Sequence, residues 1–523
     1  IADGLLFPDR GPKPAMAECA HLFRPVRAYA SLPESLRVRA VRNSSPPPAS
    51  SGARLGRVFV ENRFDFSDLS GVSLSWTVVS GDRSRPERDG IVARGGAALP
   101  PSSPGGVEAV ELGLPLSGEA GEALRSAMRD GECVLELEFS LSRTLPWAEA
   151  GHVLAREQLS LSEAPLAARR PVRGKGASAR ASGAVASGAV ASGSGGSAPG
   201  PAGGPAGGQA GGEGLLEARF SDEGFLASLK GPSGAELLAS PLLPCLFRAP
   251  TQNDGLKNFM SLRGQSDFAF YYTDKAMYGW LDAGLDRLVC SLESREESGG
   301  VLRLVHGLST AKGAKTGRLY QSFRIEGRRV EADFVFDLDP GLPELPRVGL
   351  RGRLAPGLEN ARWFGLGPHE AYSDRRAGAR LGVWSAYAAG LAVPYIVPQE
   401  NGNRHGTRWL ELYSASDAAP SSDAATRGVA PLAAAAASRG APALAVEGVR
   451  PFDFSLSPYS DEELWEGRHW DGLRPFREAL KEGAWLHLDA AQRGVGTATC
   501  GPDTLERHRL RPGVYRLSLA FEA

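Results

Sequence analysis

Hydrophobic and polar positions alternate with a period of two along most of this chain. The alternation is clearest in residues 133–141, 330–338 and 515–521, and a shorter run occurs at 74–78. Successive side chains of a β-strand point to opposite faces, so one face of each run can lie on a core while the other contacts water. One-sided strands of this kind are typical of antiparallel sheets. The pattern therefore predicts a mainly β protein.

Helical patterns are few. Residues 14–22 show one, and residues 460–471 show another. In the second segment, Ser460 and Glu463 have the spacing of a capping box, in which each residue satisfies a backbone N–H group at the start of a helix. We predict a helix over each segment.

Two segments show neither period. Residues 166–214 are dominated by Gly, Ala, Ser and Pro, and residues 415–448 are rich in alanine. The first segment cannot bury enough apolar surface to offset the entropy of ordering, so we interpret it as a disordered linker. We interpret the second as a surface insertion, with a short alanine-rich helix as the alternative. The rest of the chain then divides into a short head, 1–28, and two β domains, 29–165 and 215–523.

Composition and charge exclude several classes of function. The 523 residues include 59 Lys and Arg against 60 Asp and Glu, for a formal net charge of −1, which excludes binding to nucleic acid or an anionic membrane by bulk charge. No apolar run could span a membrane and no leader is evident, so we expect a cytoplasmic protein. The cysteines form no CxxC pair and the histidines no HxH, HxxxH or HExxH motif, so free thiols and no local metal motif are predicted.

Three polar loops carry the candidate chemistry, namely residues 248–255, 363–370 and 398–405. His369 and Glu370 could act as the acid–base pair of a sugar epimerase, or they could simply cap a loop. In the first loop, Asn253 and Asp254 could bind a ligand or form an Asx turn. The residues alone leave both alternatives open, and we favour the structural one for His369 and Glu370.

Seven motifs, taken in order, resemble the large bacterial β-galactosidases of glycoside hydrolase family two. They are DGLLFPDRGPKPA (3–15), FVENRFDF (59–66), WAEAGH (147–152), RAPTQNDG (248–255), GLGPHEAYSDR (365–375), ENG (400–402) and CGPD (500–503). The resemblance implies that residues 1–28 are the tail of a catalytic (β/α)₈ barrel and that residues 29–165 form an immunoglobulin-like sandwich. It also implies that residues 215–523 form an antiparallel super-sandwich, a fold shared with galactose mutarotases. In this family, the motif around His369 and Glu370 is structural.

The resemblance further implies retaining hydrolysis of terminal β-D-galactose from lactose-type galactosides, by two glutamates that lie in the barrel. Such a barrel takes about 250 residues. We therefore expect both glutamates and the magnesium ligands to lie upstream of this chain, no catalytic residue within it, and no activity of the chain alone. The expected partners are the substrate, the upstream barrel and further copies of the enzyme.

The resemblance also implies which residues lie near the substrate. Asp3 occupies the position of a residue close to a sodium ion and the galactose. Asn253, Asp254 and Gly255, the last as a hinge, belong to a loop that borders the site. Cys500 lies where some relatives have a tryptophan that stacks on sugar. Two other functions stay open, a non-catalytic galactoside-binding module and a mutarotase-like epimerase.

Overall fold

The computed structural model describes most of the chain outside its low-complexity segments. The described residues are 4–31, 56–83, 89–162, 216–255, 275–414, 441–496 and 502–523. All of the predicted linker, most of the alanine-rich insertion, Asp3 and Cys500 lie outside these ranges.

Within its described residues, the first part of the chain has one α-helix before and one α-helix within a set of seven strands. The helices are α1 (Pro14–Leu22) and α2 (Gly118–Asp130). The strands are β1 (Val26–Tyr29), β2 (Arg57–Asn62), β3 (Val72–Ser80), β4 (Ile91–Ala97), β5 (Val107–Glu111), β6 (Cys133–Leu141) and β7 (Val153–Ser160).

These strands form a sandwich of two antiparallel sheets, ordered β1-β2-β5 and β4-β3-β6-β7. The predicted alternation is confirmed here, because Leu74 pairs with Phe139 and Trp76 with Leu137, and all four side chains are buried in the core between the sheets. The polar residues between them lie on the other face. The period of two therefore decides which side of each strand is buried.

The described residues of the second part contain the remaining strands and four short α-helices. The strands are β8 (Glu217–Phe220), β9 (Leu226–Lys230), β10 (Leu243–Cys245), β11 (Leu288–Ser298), β12 (Val301–Thr310), β13 (Lys315–Glu326), β14 (Arg329–Leu338), β15 (Arg347–Arg353), β16 (Leu358–Gly367), β17 (Arg380–Tyr387), β18 (Arg404–Ser414), β19 (Leu444–Ser457), β20 (Trp485–Gln492) and β21 (Val514–Glu522). The helices are α3 (Ala276–Ala283), α4 (Ala388–Leu391), α5 (Asp461–Glu466) and α6 (Phe476–Ala479).

Twelve of these strands form one antiparallel sheet. Its main order is β10-β15-β20-β19-β21-β14-β13-β12-β11, and β18 joins it at β19 and pairs with β16, which pairs with β17. The alternating runs at 330–338 and 515–521 are neighbours in this sheet, with Phe334 opposite Leu517 and Ala332 opposite Leu519. The prediction of a mainly β protein with a large antiparallel sheet is confirmed.

Both predicted helices exist, but one is shorter than predicted. Helix α1 spans Pro14–Leu22 as predicted. Helix α5 has the capping box of Ser460 and Glu463, but it ends at Glu466, so the predicted extension to residue 471 is wrong. The reason is Gly467, which leaves the helix in an extended conformation after its N–H group has bonded to the carbonyl of Glu463.

No helix in the described part of the chain has both the length and the apolar character needed to cross a membrane.

The sandwich packs on the large sheet through an apolar contact. Val79 and Val134 of the sandwich meet Phe364, Leu381 and Trp409 of the large sheet. The indole Nε1 of Trp409 also donates a hydrogen bond of 2.8 Å to the carbonyl oxygen of Gly81. A side chain at position 81 would not fit, because its Cβ would lie 2.1 Å from the ring of Phe364.

Polar contacts fix the orientation of this interface. Arg408 of the large sheet lies 2.6 Å from the carboxylate of Glu132 of the sandwich. The amide of Gln158 makes two hydrogen bonds to the backbone of Leu381, accepting at 2.7 Å and donating at 2.8 Å. A side-chain amide thus pairs with a strand edge of the other domain. The head takes part as well, because Glu18 of α1 accepts hydrogen bonds from the backbone N–H groups of Ala377 and Gly378.

The interface generates a stability prediction for Trp409→Ala. Trp409 is 4% exposed, and the substitution removes its ring and its hydrogen bond to Gly81. We expect the free energy of unfolding to fall by about 3–5 kcal/mol, as for other buried aromatic residues, in a urea titration followed by fluorescence. The matched control is Trp147→Ala, since Trp147 is 63% exposed. Equal effects of the two substitutions would contradict the interface described here.

Candidate functional site

Loops from distant parts of the sequence meet at one edge of the large sheet. Antiparallel pairing brings the carboxyl ends of β10, β16 and β20 to the same edge as the amino ends of β15 and β18. The loops at this edge contain three of the motifs singled out above. We call the set formed by residues 248–255, 368–376, 395–403 and 493–496 the polar loop cluster.

A buried ion pair organises the first of these loops. The guanidinium Nη2 of Arg248 lies 2.8 and 2.9 Å from the two carboxylate oxygens of Asp254, and both side chains are fully buried. Asp254 also accepts hydrogen bonds from the backbone N–H and the hydroxyl group of Thr251, at 2.9 and 3.0 Å. Its carboxylate is engaged by protein donors, so in this structure it shapes the loop.

The same ion pair reaches a second loop. Arg248 donates to the carbonyl oxygens of Arg493 at 2.5 Å and Gly494 at 3.0 Å, and Arg493 in turn lies 3.3 Å from Asp254. Because each guanidinium bridges the two loops, residues 248–255 and 493–496 are held as one unit.

The other two residues predicted near the substrate lie beside this unit. The side-chain amide of Asn253 is half-buried and donates a 2.8 Å hydrogen bond to the carbonyl oxygen of Val495. Gly255 is buried, and a Cβ there would lie 2.6 Å from the terminal methyl group of Met277, so a larger residue would displace the Met277 side chain. The structure thus brings together Asn253, Asp254 and Gly255, whereas Asp3 and Cys500 lie outside the described residues.

Asp374 supports residues 493–496 from the other side. Its two carboxylate oxygens accept hydrogen bonds from the backbone N–H groups of Val495 at 3.0 Å and Gly496 at 2.9 Å. A Cβ at position 494 would lie 2.5 Å from the carboxyl carbon of Asp374, so the backbone there needs glycine to approach the carboxylate. The motif at 365–375 therefore positions the residues that precede Cys500 in the sequence.

Glu370 joins two further loops. Its carboxylate forms an ion pair with Arg375. It also accepts a hydrogen bond from the hydroxyl group of Tyr395 and one of 2.7 Å from the backbone N–H of Gly402. Burial and the charge of Glu370 both raise the pKa of Tyr395 above its ordinary value, so this hydroxyl stays a donor. These contacts are those of an anchor between loops, which agrees with the structural interpretation of Glu370.

A network that the sequence analysis missed lies beneath the cluster. Arg347, at the start of β15, is fully buried and lies 3.0 Å from Glu400, 3.4 Å from Asp461 and 3.0 Å from Asp489. Burial alone would lower the pKa of Arg347, but the surrounding carboxylates raise it above its ordinary value. The only local signal is a charged residue directly before the apolar residues Val348 and Leu350, and that signal does not identify the partners of Arg347.

One group within the described residues has metal-ligating side chains close together. Ligand atoms of Cys245, Asp461 and His487 lie within 4.8 Å of one another, all buried. Burial, with the charge of Asp461, raises the pKa of the Cys245 thiol to about 12, and metal binding requires the thiolate. Arg347 and Arg351 each lie 3.4 Å from Asp461 and already supply positive charge. The group fits an ion-pair network better than a metal, and its sulfur and nitrogen atoms do not suit magnesium or sodium.

His369 generates a prediction about acid stability. Burial, reinforced by the charges of Arg404 and Arg380, lowers its pKa from 6.5 to about 4. The unfolded chain binds this proton near pH 6.5, whereas the folded chain binds it only near pH 4. The neutral His369 therefore contributes fully to the stability of the folded chain above pH 6.5, and this contribution is lost as the pH falls towards 4. Between about pH 7.5 and 4.5, we expect the free energy of unfolding to fall by roughly 2 kcal/mol more in the native chain than in His369→Gln.

Urea titrations at several pH values measure this difference. His469→Gln replaces an exposed histidine and is expected to keep the pH slope of the native chain. If His369→Gln keeps that slope too, the buried neutral His369 does not contribute to the pH dependence of the free energy of unfolding.

Comparisons with known proteins agree with these observations. A model of the β-galactosidase small chain matches residues 213–521, and a model of β-galactosidase domain 4 matches residues 58–162. A β-galactosidase of Arthrobacter sp. (strain B7) is 28% identical over 100% of this chain and 43% of its own length. β-Galactosidase 2 of Enterobacter cloacae is 27% identical over 94% of this chain and 38% of its own length. The chain therefore spans less than half the length of these relatives.

Among solved structures, a galactose mutarotase-like protein from Lactobacillus casei ATCC 334 covers 59% of this chain and 97% of its own, with 11% identity and a TM-score of 0.29. So weak a likeness carries no argument about function. The small-chain match alone covers more than half of the 523 residues. The chain belongs to the β-galactosidase family, in which it corresponds to the carboxy-terminal portion of the longer members.

Proposed function

We propose that this chain completes the substrate pocket of a cytoplasmic, homo-oligomeric β-galactosidase that acts on lactose-type galactosides. The observation that carries the proposal is the polar loop cluster. Residues separated by up to 246 positions, such as Arg248 and Gly494, meet there through buried contacts. A set of loops fixed in this way is suited to present a rigid edge to a ligand held by another domain.

The division of labour follows from the chemistry. Retaining hydrolysis needs two carboxylic acid groups about 5–5.5 Å apart, one as nucleophile and one as acid–base catalyst. The carboxylates of the polar loop cluster, those of Asp254, Glu370, Asp374 and Glu400, are each engaged by protein donors. We therefore assign both catalytic glutamates, and the magnesium ligands, to a barrel that this chain complements. Asp3 is our candidate ligand for sodium.

Within the pocket, the described residues would act by position. Asp374 fixes the backbone of Val495 and Gly496, which leads to Cys500, and Asn253 fixes the carbonyl group of Val495. A substrate-facing segment held at both sides loses little conformational entropy when the galactoside binds. These residues are positioning residues, since their side chains are engaged with the protein backbone.

The direct test is an assay with a chromogenic β-galactoside and magnesium. We expect the purified chain to show no turnover above that of buffer, because the paired carboxylates are supplied elsewhere. Addition of the remaining, amino-terminal part of the Arthrobacter relative is expected to restore turnover. Hydrolysis by the chain alone would contradict the proposal.

The same preparation distinguishes the two other functions. Saturable binding of galactose by the isolated chain, together with no gain of hydrolysis on mixing, would indicate a galactoside-binding module. Faster interconversion of galactose anomers, followed by polarimetry, would indicate an epimerase. The anchoring contacts of Glu370 speak against the second function.

Asp374→Ala tests the positioning role in the reconstituted enzyme. Loss of two hydrogen bonds to a charged acceptor is expected to raise KM about tenfold or more, with a smaller effect on kcat, because the pocket edge is loosened while the reacting groups are unchanged. The matched control is Asp339→Ala, which removes a similar 2.8 Å hydrogen bond from the backbone N–H of Gly341 in an exposed turn outside the polar loop cluster. An unchanged KM in Asp374→Ala would remove Asp374 from the pocket.

A further inference from the structure

A cleft of about 470 Å³ opens beside the polar loop cluster. The start of β18 and the second half of β19 form one side of the cleft. The end of β20 and the turn at residues 506–508 form the other side. Four arginines and two histidines line the cleft, against one carboxylate, that of Asp453. Neither the sequence motifs nor the family comparisons assign a ligand to this cleft.

One side of the cleft is a fixed relay of polar groups. The buried carboxylate of Asp453 accepts from Nδ1 of His405 at 3.0 Å and from the backbone N–H of Gly406 at 3.0 Å. Nε2 of the same imidazole lies 3.2 Å from Nη1 of Arg376, which can only donate. These partners place the imidazole proton on Nδ1 and leave Nε2 as the acceptor. The relay holds the guanidinium of Arg376 at the cleft.

The charge of the cleft is only partly compensated. Arg408 is paired with Glu132, and Arg509 lies within 3.4–3.6 Å of Glu344 and Asp503. In the described part of the chain, Arg376 and Arg507 contact histidine rings and form no ion pair with a carboxylate. These two exposed arginines therefore offer free N–H donors and net positive charge.

The floor of the cleft contains a polar side chain without a protein partner. Gln492, at the end of β20, is 4% exposed, and neither its amide nitrogen nor its amide oxygen has a hydrogen-bond partner among the described residues. The buried hydroxyl of Ser373, which also lines the cleft, is unpartnered in the same sense. An unmet hydrogen bond of this kind destabilises the folded chain, and a polar ligand in the cleft would supply the missing partner.

The lining also indicates the class of ligand. No Phe, Tyr or Trp ring is present in the described lining, so it lacks the stacking surface that a sugar ring favours. Planar guanidinium groups instead match the oxygen pairs of phosphate and sulfate groups. We propose that the cleft binds a tetrahedral oxyanion, free or as the ester of a sugar, with Arg376 and Arg507 as its charged donors and Gln492 as its neutral donor. This proposal does not depend on the proposed galactosidase function.

Isothermal titration calorimetry of the chain with inorganic phosphate and with inorganic sulfate tests the proposal. We expect saturable binding at one site that weakens as the salt concentration rises. The double variant Arg376→Gln, Arg507→Gln is expected to bind at least tenfold more weakly, and Gln492→Ala several-fold more weakly. Arg303→Gln is the matched control, since Arg303 is exposed on β12 and does not line the cleft.

Further titrations distinguish a free anion from a sugar ester and define the results that would overturn the proposal. Tighter binding of galactose 6-phosphate than of phosphate supports a sugar ester, and equal binding supports the free anion. Thermal unfolding of each variant establishes that it is folded. The proposal is overturned if neither anion binds, if the folded double variant binds as the native chain does, or if neutral galactose binds as tightly as its phosphate.

Discussion

The buried guanidinium of Arg347 is the interaction on which the organisation of the large domain depends. It lies at the start of β15 and within 3.4 Å of carboxylates from the loop at Glu400, the helix residue Asp461 and the strand residue Asp489. A buried ion pair of this kind contributes less to net stability than its short distances suggest, because both charges lose their water. Its effect is to fix which elements meet, since removal of this cation would leave the buried carboxyl groups of Glu400 and Asp489 without an ion-pair partner among the described residues.

Buried charged groups also join separate elements in the polar loop cluster. Arg248 and Arg493 enclose Asp254, and Glu370 and Asp374 bind backbone N–H groups of neighbouring loops. Loops are ordinarily the mobile parts of a β protein, but here charged groups replace the ladder hydrogen bonds that loops lack. The polar loop cluster is rigid for this reason, and the residues that lead into Cys500 start from a fixed position.

The two β domains are joined in a different way. Their contact combines an apolar centre around Phe364 and Trp409 with polar pairs at its margin, of which Arg408 and Glu132 are one. The polar margin sets the angle and the apolar centre supplies most of the free energy. Arg408 and Leu381 also line the cleft, so the domain contact and the cleft share these side chains. The orientation of the sandwich thereby shapes a surface of the other domain.

Local patterns were sufficient for the strands, because the period of two in residues 133–141 and 330–338 is imposed by the geometry of a single strand. They were sufficient for helix α1 and for the capping box of α5, but not for the end of α5, which Gly467 sets. The family motifs also identified the loop of Asn253, Asp254 and Gly255.

Partners that are far apart in sequence left no such pattern. The contacts of Asp254 with Arg493, of Arg347 with Asp489, and the cleft around Gln492 exist only after a dozen strands have aligned. The sequence by itself determined which faces are buried and to which family the chain belongs, because both are written in neighbouring residues. Only the tertiary structure decided which charges meet, because the energy of an ion pair depends on distance and burial and not on position along the chain.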